Sequence, residues 1–224
     1  MKKFFIFTFT LLLMLTQFTF AKEYSNDYLK VQLISCKILT EYKENDVFVN
    51  YEKNDNSIIA RIYEKNSNSL IDTISEKSDI SIKEIQTLKE EKSPSTYNTT
   101  FTRLFSLDKS DLEPQAYVSA YCNVSADFSW MQVNRLISAS HTAGSSGSYD
   151  LVGTNTYDVT GSYPESRSIT LRLTGVIQTG SSYSVSDSIS ANLEWFGYSV
   201  SRTSSSNWYA RKPYNQQVSI KIMQ

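Results

Sequence analysis

The chain has 224 residues, 22 basic against 23 acidic side chains and one histidine, for a net charge of −1. That balance excludes the strongly basic footprint of a phosphate-backbone binder, so no nucleic-acid partner is expected. One histidine and two distant cysteines give no recognisable metal-ligand spacing, so neither a metal nor another cofactor is expected.

The first element is a leader. Lys2 and Lys3 form a positive start, and residues 4–15 are apolar apart from Thr8 and Thr10. Thr19-Phe20-Ala21 then offers a small-residue cleavage site. Residues 1–21 therefore read as a secretory signal peptide cut after Ala21, which predicts a secreted, extracellular protein. The alternative, an uncleaved anchor over residues 4–20, sits at the short limit for a membrane span.

Residues 28–42 alternate in polarity, with a phase change near Leu33-Ile34 that predicts a bulge. Three shorter runs follow at 47–53, 58–64 and 70–75, separated by Asn54-Asp55-Asn56-Ser57 and Lys65-Asn66-Ser67-Asn68-Ser69. Apolar and β-branched runs bounded by such turns predict an antiparallel meander with sequential strands as neighbours. One helix follows. Ser81 and Glu84 make a capping-box pattern, and Ile82, Ile85 and Leu88 share a face. Lys89 and Lys92 suit its C-terminal end, and Ser93-Pro94 stops it. The helix is too short to stand alone and must pack on the meander.

From Tyr97 onward the period is two. Residues 169–177 place Ile169, Leu171, Leu173, Gly175 and Ile177 on one face, with Thr170, Arg172, Thr174 and Val176 on the other. Residues 183–193 alternate Tyr, Val, Asp, Ile, Ala and Leu with serines and Asn192. The Gly-Ser-Tyr turns at 147–149 and 161–163, and Gly180-Ser181-Ser182-Tyr183, each deliver an aromatic into a new strand. Val218, Ile220 and Ile222 close the pattern. The fold class is mainly β: a small α+β antiparallel meander with one helix, then a Ser/Thr-rich antiparallel β-sandwich or open barrel.

Charge density divides the chain. Residues 22–115 carry 13 basic and 17 acidic side chains, whereas residues 116–224 carry 7 and 6. The expected organisation is a meander module over 22–92, a strand and linker over 93–115, and a β-sandwich-like domain over 116–224. Outside the cytoplasm, Cys36 and Cys122 are expected to form a disulfide tying these parts together. Closing that long loop is worth about 4–5 kcal/mol in the chain-entropy model.

Catalytic signals are weak. His141 adjoins an Ala-Gly-Ser-Ser-Gly loop and reads as an exposed loop histidine; Gly144-Ser145-Ser146-Gly147 misses the nucleophile-elbow spacing. Asp127, Asp150, Asp158, Glu165, Asp187 and Glu194 could run glycoside hydrolysis only as a close pair, which no spacing specifies. Asp187 lies on the apolar phase of its strand and reads as an inward charge guarding a sheet edge. No catalytic residue is assigned, and the chain is not expected to be an enzyme.

The strongest candidate site is aromatic and basic. Trp195, Phe196 and Tyr198 precede Trp208, Tyr209, Arg211, Lys212 and Tyr214. Flat rings with polar edges suit sugar stacking or a membrane interface, and the cations suit anionic wall polymers or lipids. The competing reading is that half of these rings fill the core. Ser184-Val185-Ser186 and Gly197-Tyr198-Ser199-Val200-Ser201 resemble the Ser-alternating strands of aerolysin-type toxins, which implies a membrane-active, pore-forming-like protein. No residue role is carried over from that resemblance, and Asp187 would face lipid mid-strand. The expectation is a secreted bacterial cell-envelope or extracellular binding protein for a cell-wall glycan or a protein partner. A membrane-active protein is the runner-up and a secreted hydrolase the third reading.

Overall fold

The computed structural model describes residues 27–90, 95–108, 112–126, 131–144, 149–161, 163, 168–180, 193–202 and 208–223. The leader, the Ser93-Pro94 stop and the 183–192 alternation with Asp187 lie outside the described residues.

Among the described residues, twelve strands and one helix follow in chain order: β1 (Tyr28–Gln32), β2 (Lys37–Lys43), β3 (Val47–Asn54), β4 (Ser57–Glu64), β5 (Leu70–Ser78), α1 (Ile82–Glu90), β6 (Ser95–Ser106), β7 (Gln115–Ala126), β8 (Met131–Ala143), β9 (Asp150–Asp158), β10 (Ser168–Gly180), β11 (Ser199–Arg202) and β12 (Trp208–Met223). All pairings are antiparallel, and they build two sheets facing each other as a sandwich, not a closed barrel. The first sheet runs β1-β2-β12-β10-β9, with β11 also on β12; the second is the meander β3-β4-β5-β6-β7-β8.

Local sequence explains the meander. Asn54 pairs with Ser57, leaving Asp55-Asn56 as a two-residue hairpin turn of favoured chemistry. Between β4 and β5, Asn68 takes φ 60°, a conformation asparagine tolerates better than most residues. The helix start is as expected, with the Glu84 N–H donating to Ser81 Oγ at 3.1 Å and Ile85 buried. The 28–42 stretch differs. It is two strands joined by a tight turn, with the Leu33 N–H donating to the Cys36 carbonyl at 2.9 Å, and the Leu33-Ile34 phase change marks that reversal.

Strand pairing runs across the compositional boundary. β6 and β7, on either side of residues 107–114, pair from Ser95↔Ala126 to Ser106↔Gln115. The two ends of the chain meet in the first sheet, where Leu39 pairs with Lys221 and Ile38 with Ile222. Between the sheets lies one core, including Ile38, Val218 and Ile220 from the first sheet and Ile62, Ile74, Phe101 and Val118 from the second.

The cysteines are two separate buried thiols, which corrects the expected disulfide. Cys36 ends the β1–β2 turn of the first sheet, while Cys122 sits mid-strand in β7 opposite Thr99 and Leu136. Burial pushes the Cys122 thiol up to about 12, helped by the charge of Asp158, so it behaves as a small core side chain.

Candidate functional site

The outer face of the first sheet follows from its register. Antiparallel partners share a face, so Lys221 with Leu39, Arg172 with Gln217, Arg211 with Gln178 and Lys43 with Tyr28 all point away from the core. Among the described residues, Lys30, Lys37, Lys43, Arg172, Arg211 and Lys221 are exposed on the strands of this face, against two carboxylates, Glu41 and Asp150. Glu41 is already engaged, because Arg103 Nη2 donates to both of its oxygens at 2.6 and 2.7 Å. Rings stand among the cations. Tyr157 pairs with Arg172 and is 52% exposed, and half-buried Tyr209 has the Arg211 guanidinium 4.9 Å from its ring centre.

The outer face of the second sheet has different chemistry. Hydroxyls and amides line it: Thr96 meets Ser125 at 3.1 Å and Thr102 meets Ser119 at 3.2 Å. Asn123 Nδ2 donates to Asn98 Oδ1 at 2.9 Å, and Asn134 Nδ2 donates to Asn123 Oδ1 at 3.0 Å. These groups satisfy one another across strands, whereas the outer face of the first sheet carries exposed cations, of which Arg211 donates from Nε to Gln178 Oε1 at 2.7 Å.

The C-terminal aromatic and basic residues separate in space. Trp195 is 89% exposed on the turn before β11, where Phe196 N–H donates to the Leu193 carbonyl and Gly197 takes φ 83°. Tyr198 is buried, with the Lys212 ammonium 5.5 Å from its ring centre. Lys212 pairs with Asp108 at 2.9 Å and ties β12 to the segment after β6. Trp208 is half-buried against the core. Tyr214 is 7% exposed and points inward, so it is a core residue. Trp195, Tyr209 and Arg211 therefore keep the accessible surface, while Tyr198 and Tyr214 offer almost none.

Tyr214 leads to His141, and here the structure overturns the exposed-loop reading. His141 is 4% exposed on β8, opposite Val118. Its Nε2 lies 2.6 Å from Tyr214 Oη and its Nδ1 lies 2.7 Å from Thr156 Oγ1. One ring thus pins β8, β9 and β12 together across the two sheets. Burial lowers its basicity, so it is neutral near pH 7, donating from one nitrogen and accepting at the other. Gly175 makes room for the pin: a Cβ there would stand 2.5 Å from Tyr214 Oη. The signal in the sequence was phase. His141 shares its side of β8 with Ala139 and Ala143, but extra residues in β8 itself, Asn134 and Ile137 in the register against β7, break the alternation that would have shown it.

Two further polar groups cross the sandwich. Arg103 donates from Nε and Nη2 to Asp72 Oδ2 at 3.0 and 2.9 Å within the second sheet and reaches Glu41 in the first. Burial is the main influence on Asp72 and pushes its carboxyl up to about 6, with Arg103 opposing it. Glu76 accepts from the Ser35 N–H at 3.0 Å, from Ser35 Oγ, and from Thr99 Oγ1 at 3.2 Å. Burial raises its pKa as well. Sequence reading missed these groups because charged residues in half-polar strands carry no mark of facing inward.

Among the described residues, no cluster of three or more His, Cys, Asp or Glu side chains is placed to hold a metal ion. No helix there is long and apolar enough to cross a membrane. No family model, no curated protein and no solved structure matches the chain.

Proposed function

We propose that this chain is an exported bacterial cell-envelope protein that works by binding, and that the outer face of its first sheet holds an anionic polymer such as an acidic wall glycan. The observation that carries this reading is the asymmetry of that face, six exposed cations against two carboxylates among its described strand residues, in a chain of net charge −1. Cations spread over a rigid pleated surface attract a polyanion along its length, and each contributes about 1 kcal/mol near an anionic surface. Tyr157 and Tyr209 add flat rings on which sugar units stack. The leader at residues 1–21 supports the compartment.

The test is co-sedimentation with purified cell wall, and with polygalacturonate as a defined anionic probe and dextran as its neutral control. The triple variant Arg172→Gln, Arg211→Gln, Lys221→Gln is expected to weaken anionic binding by about a hundredfold while Tm stays unchanged. The slope of log affinity against log salt should fall by about two to three. Equal binding by the triple variant sinks the proposal. Dye release from phosphatidylglycerol vesicles, with no wall binding, would transfer the face to the membrane-active reading.

A further inference from the structure

A strand-length slot interrupts the first sheet. β10 pairs with one edge of β12 from Tyr209 to Lys221. On the opposite edge β11 covers Trp208 to Arg211, and β2 covers Lys221 to Met223. Residues 212–220 between them have no strand on that side among the described residues. At about 3.3 Å per residue that opening is about 30 Å long.

Two observations fix which backbone groups face it. Pro213 has no N–H, and proline sits within a sheet only where its nitrogen meets an open edge. The Ser219 carbonyl is approached by Arg103 Nη1, at 3.5 Å, rather than by a strand. Alternate residues of an extended chain turn their N–H and C=O to the same side. Asn215 and Gln217 therefore present theirs to the slot, while Tyr214, Gln216 and Val218 turn to β10.

The end of β6 and the residues after it form the floor. Gln216 Nε2 donates to the Leu107 carbonyl at 3.4 Å. A cavity of about 390 Å³ opens at the β2 end, lined by Leu39, Glu41, Arg103 and Val218. Another of about 500 Å³ opens toward β11, lined by Leu107, Asp108, Lys212 and Asn215. Both have the volume to receive side chains.

We propose that this slot docks an extended polypeptide segment of a partner protein, added as a strand between β11 and β2, with acidic side chains at its outward positions. β11 and β2 wall the slot at either end, so the edge of a pre-formed sheet, a second copy's included, cannot enter, whereas a single chain of about seven residues fits. Charge selects the outward residues. Lys43, Arg172, Arg211 and Lys221 surround the opening, while the carboxylates that line its two cavities among the described residues, Glu41 and Asp108, are held by Arg103 and Lys212. The proposal is independent of polymer binding on the same face.

Amide exchange by NMR on the intact protein tests it, with the capped peptide Thr-Val-Glu-Val-Thr-Val-Glu as probe at up to millimolar concentration. Without peptide, the Asn215 and Gln217 amides should exchange far faster than those of Gln216 and Val218. Saturating peptide should slow both by more than about tenfold, and the same peptide N-methylated at alternate residues should not. Gln217→Pro removes one slot-facing donor and should weaken peptide binding about tenfold; should that variant fail to fold, the exchange of Asn215 in the native chain decides. Three results overturn the proposal: Asn215 and Gln217 already protected in the isolated protein, exchange unchanged by peptide, or equal binding of the N-methylated peptide. The last would mean simple attraction of acidic side chains to the basic face.

Discussion

The two sheets are made in opposite ways. The second is a meander in which each strand pairs with the next, and its outer hydroxyls and amides bond to one another. The first gathers β1 and β2 from one end of the chain and β9 to β12 from the other, and its outer face carries exposed cations. Local pairing pays its loop-closure entropy in small steps, whereas joining β2 to β12 closes most of the chain at once. On the proposed reading, the satisfied sheet serves stability and the basic one recognition.

The contrast can be broken most forcefully at the contacts that join the sheets. Arg103→Met leaves Asp72 buried without its cation and should cost about 3–5 kcal/mol in urea unfolding, the largest effect here. If the loss is under about 1 kcal/mol, the Arg103 pin is not what holds the sheets together. Gly175→Ala places a methyl against Tyr214 and should cost about 1–3 kcal/mol. Adding Tyr214→Phe removes the nearest clashing atom, so the pair should cost less than the sum of the single changes, which a double-mutant cycle measures.

A smaller effect appears with pH. The folded pKa of His141 lies below its ordinary value of 6.5, so the unfolded chain binds the extra proton more readily. Its contribution is complete above 6.5 and is lost as pH falls toward the lowered value. Asp72 runs the other way: its raised carboxyl contributes most below about 3.8 and loses that as pH rises through about 6. The stability gap between the native chain and His141→Asn should therefore shrink as pH is lowered from 7.5 to 5. A gap constant across that range would remove His141 as a titrating pin. Smallest of all, the triple variant Arg172→Gln, Arg211→Gln, Lys221→Gln should change stability by less than about 0.5 kcal/mol per site while weakening polymer binding by about a hundredfold. A large loss of stability would show that the outer cations belong to the scaffold.

Much of the scaffold was legible along the chain. The 47–53, 58–64 and 70–75 runs are β3, β4 and β5, because alternation between turn residues is a local property. The Ser81 cap is likewise decided within four residues. The aromatic site was legible only in part. Trp195 is on the surface, but Tyr214 is in the core because Gly175, 39 residues earlier in sequence, leaves it room to reach His141. The basic face could not be read at all. Lys37, Arg172 and Lys221 are far apart in sequence, and only the register of β2 on β12 and β12 on β10 sets them side by side.

By itself the sequence determined the mainly-β class, the strand periods and the helix cap, all of which depend on residues close together along the chain. Tertiary structure alone decided which face of each strand is inside, that the two thiols stay separate, that His141 is a buried pin, and that among the described residues no strand lies beside residues 212–220 of β12 opposite β10. The physical reason is that these depend on registers between distant strands. A shift of one residue would exchange inside for outside in every strand it touched.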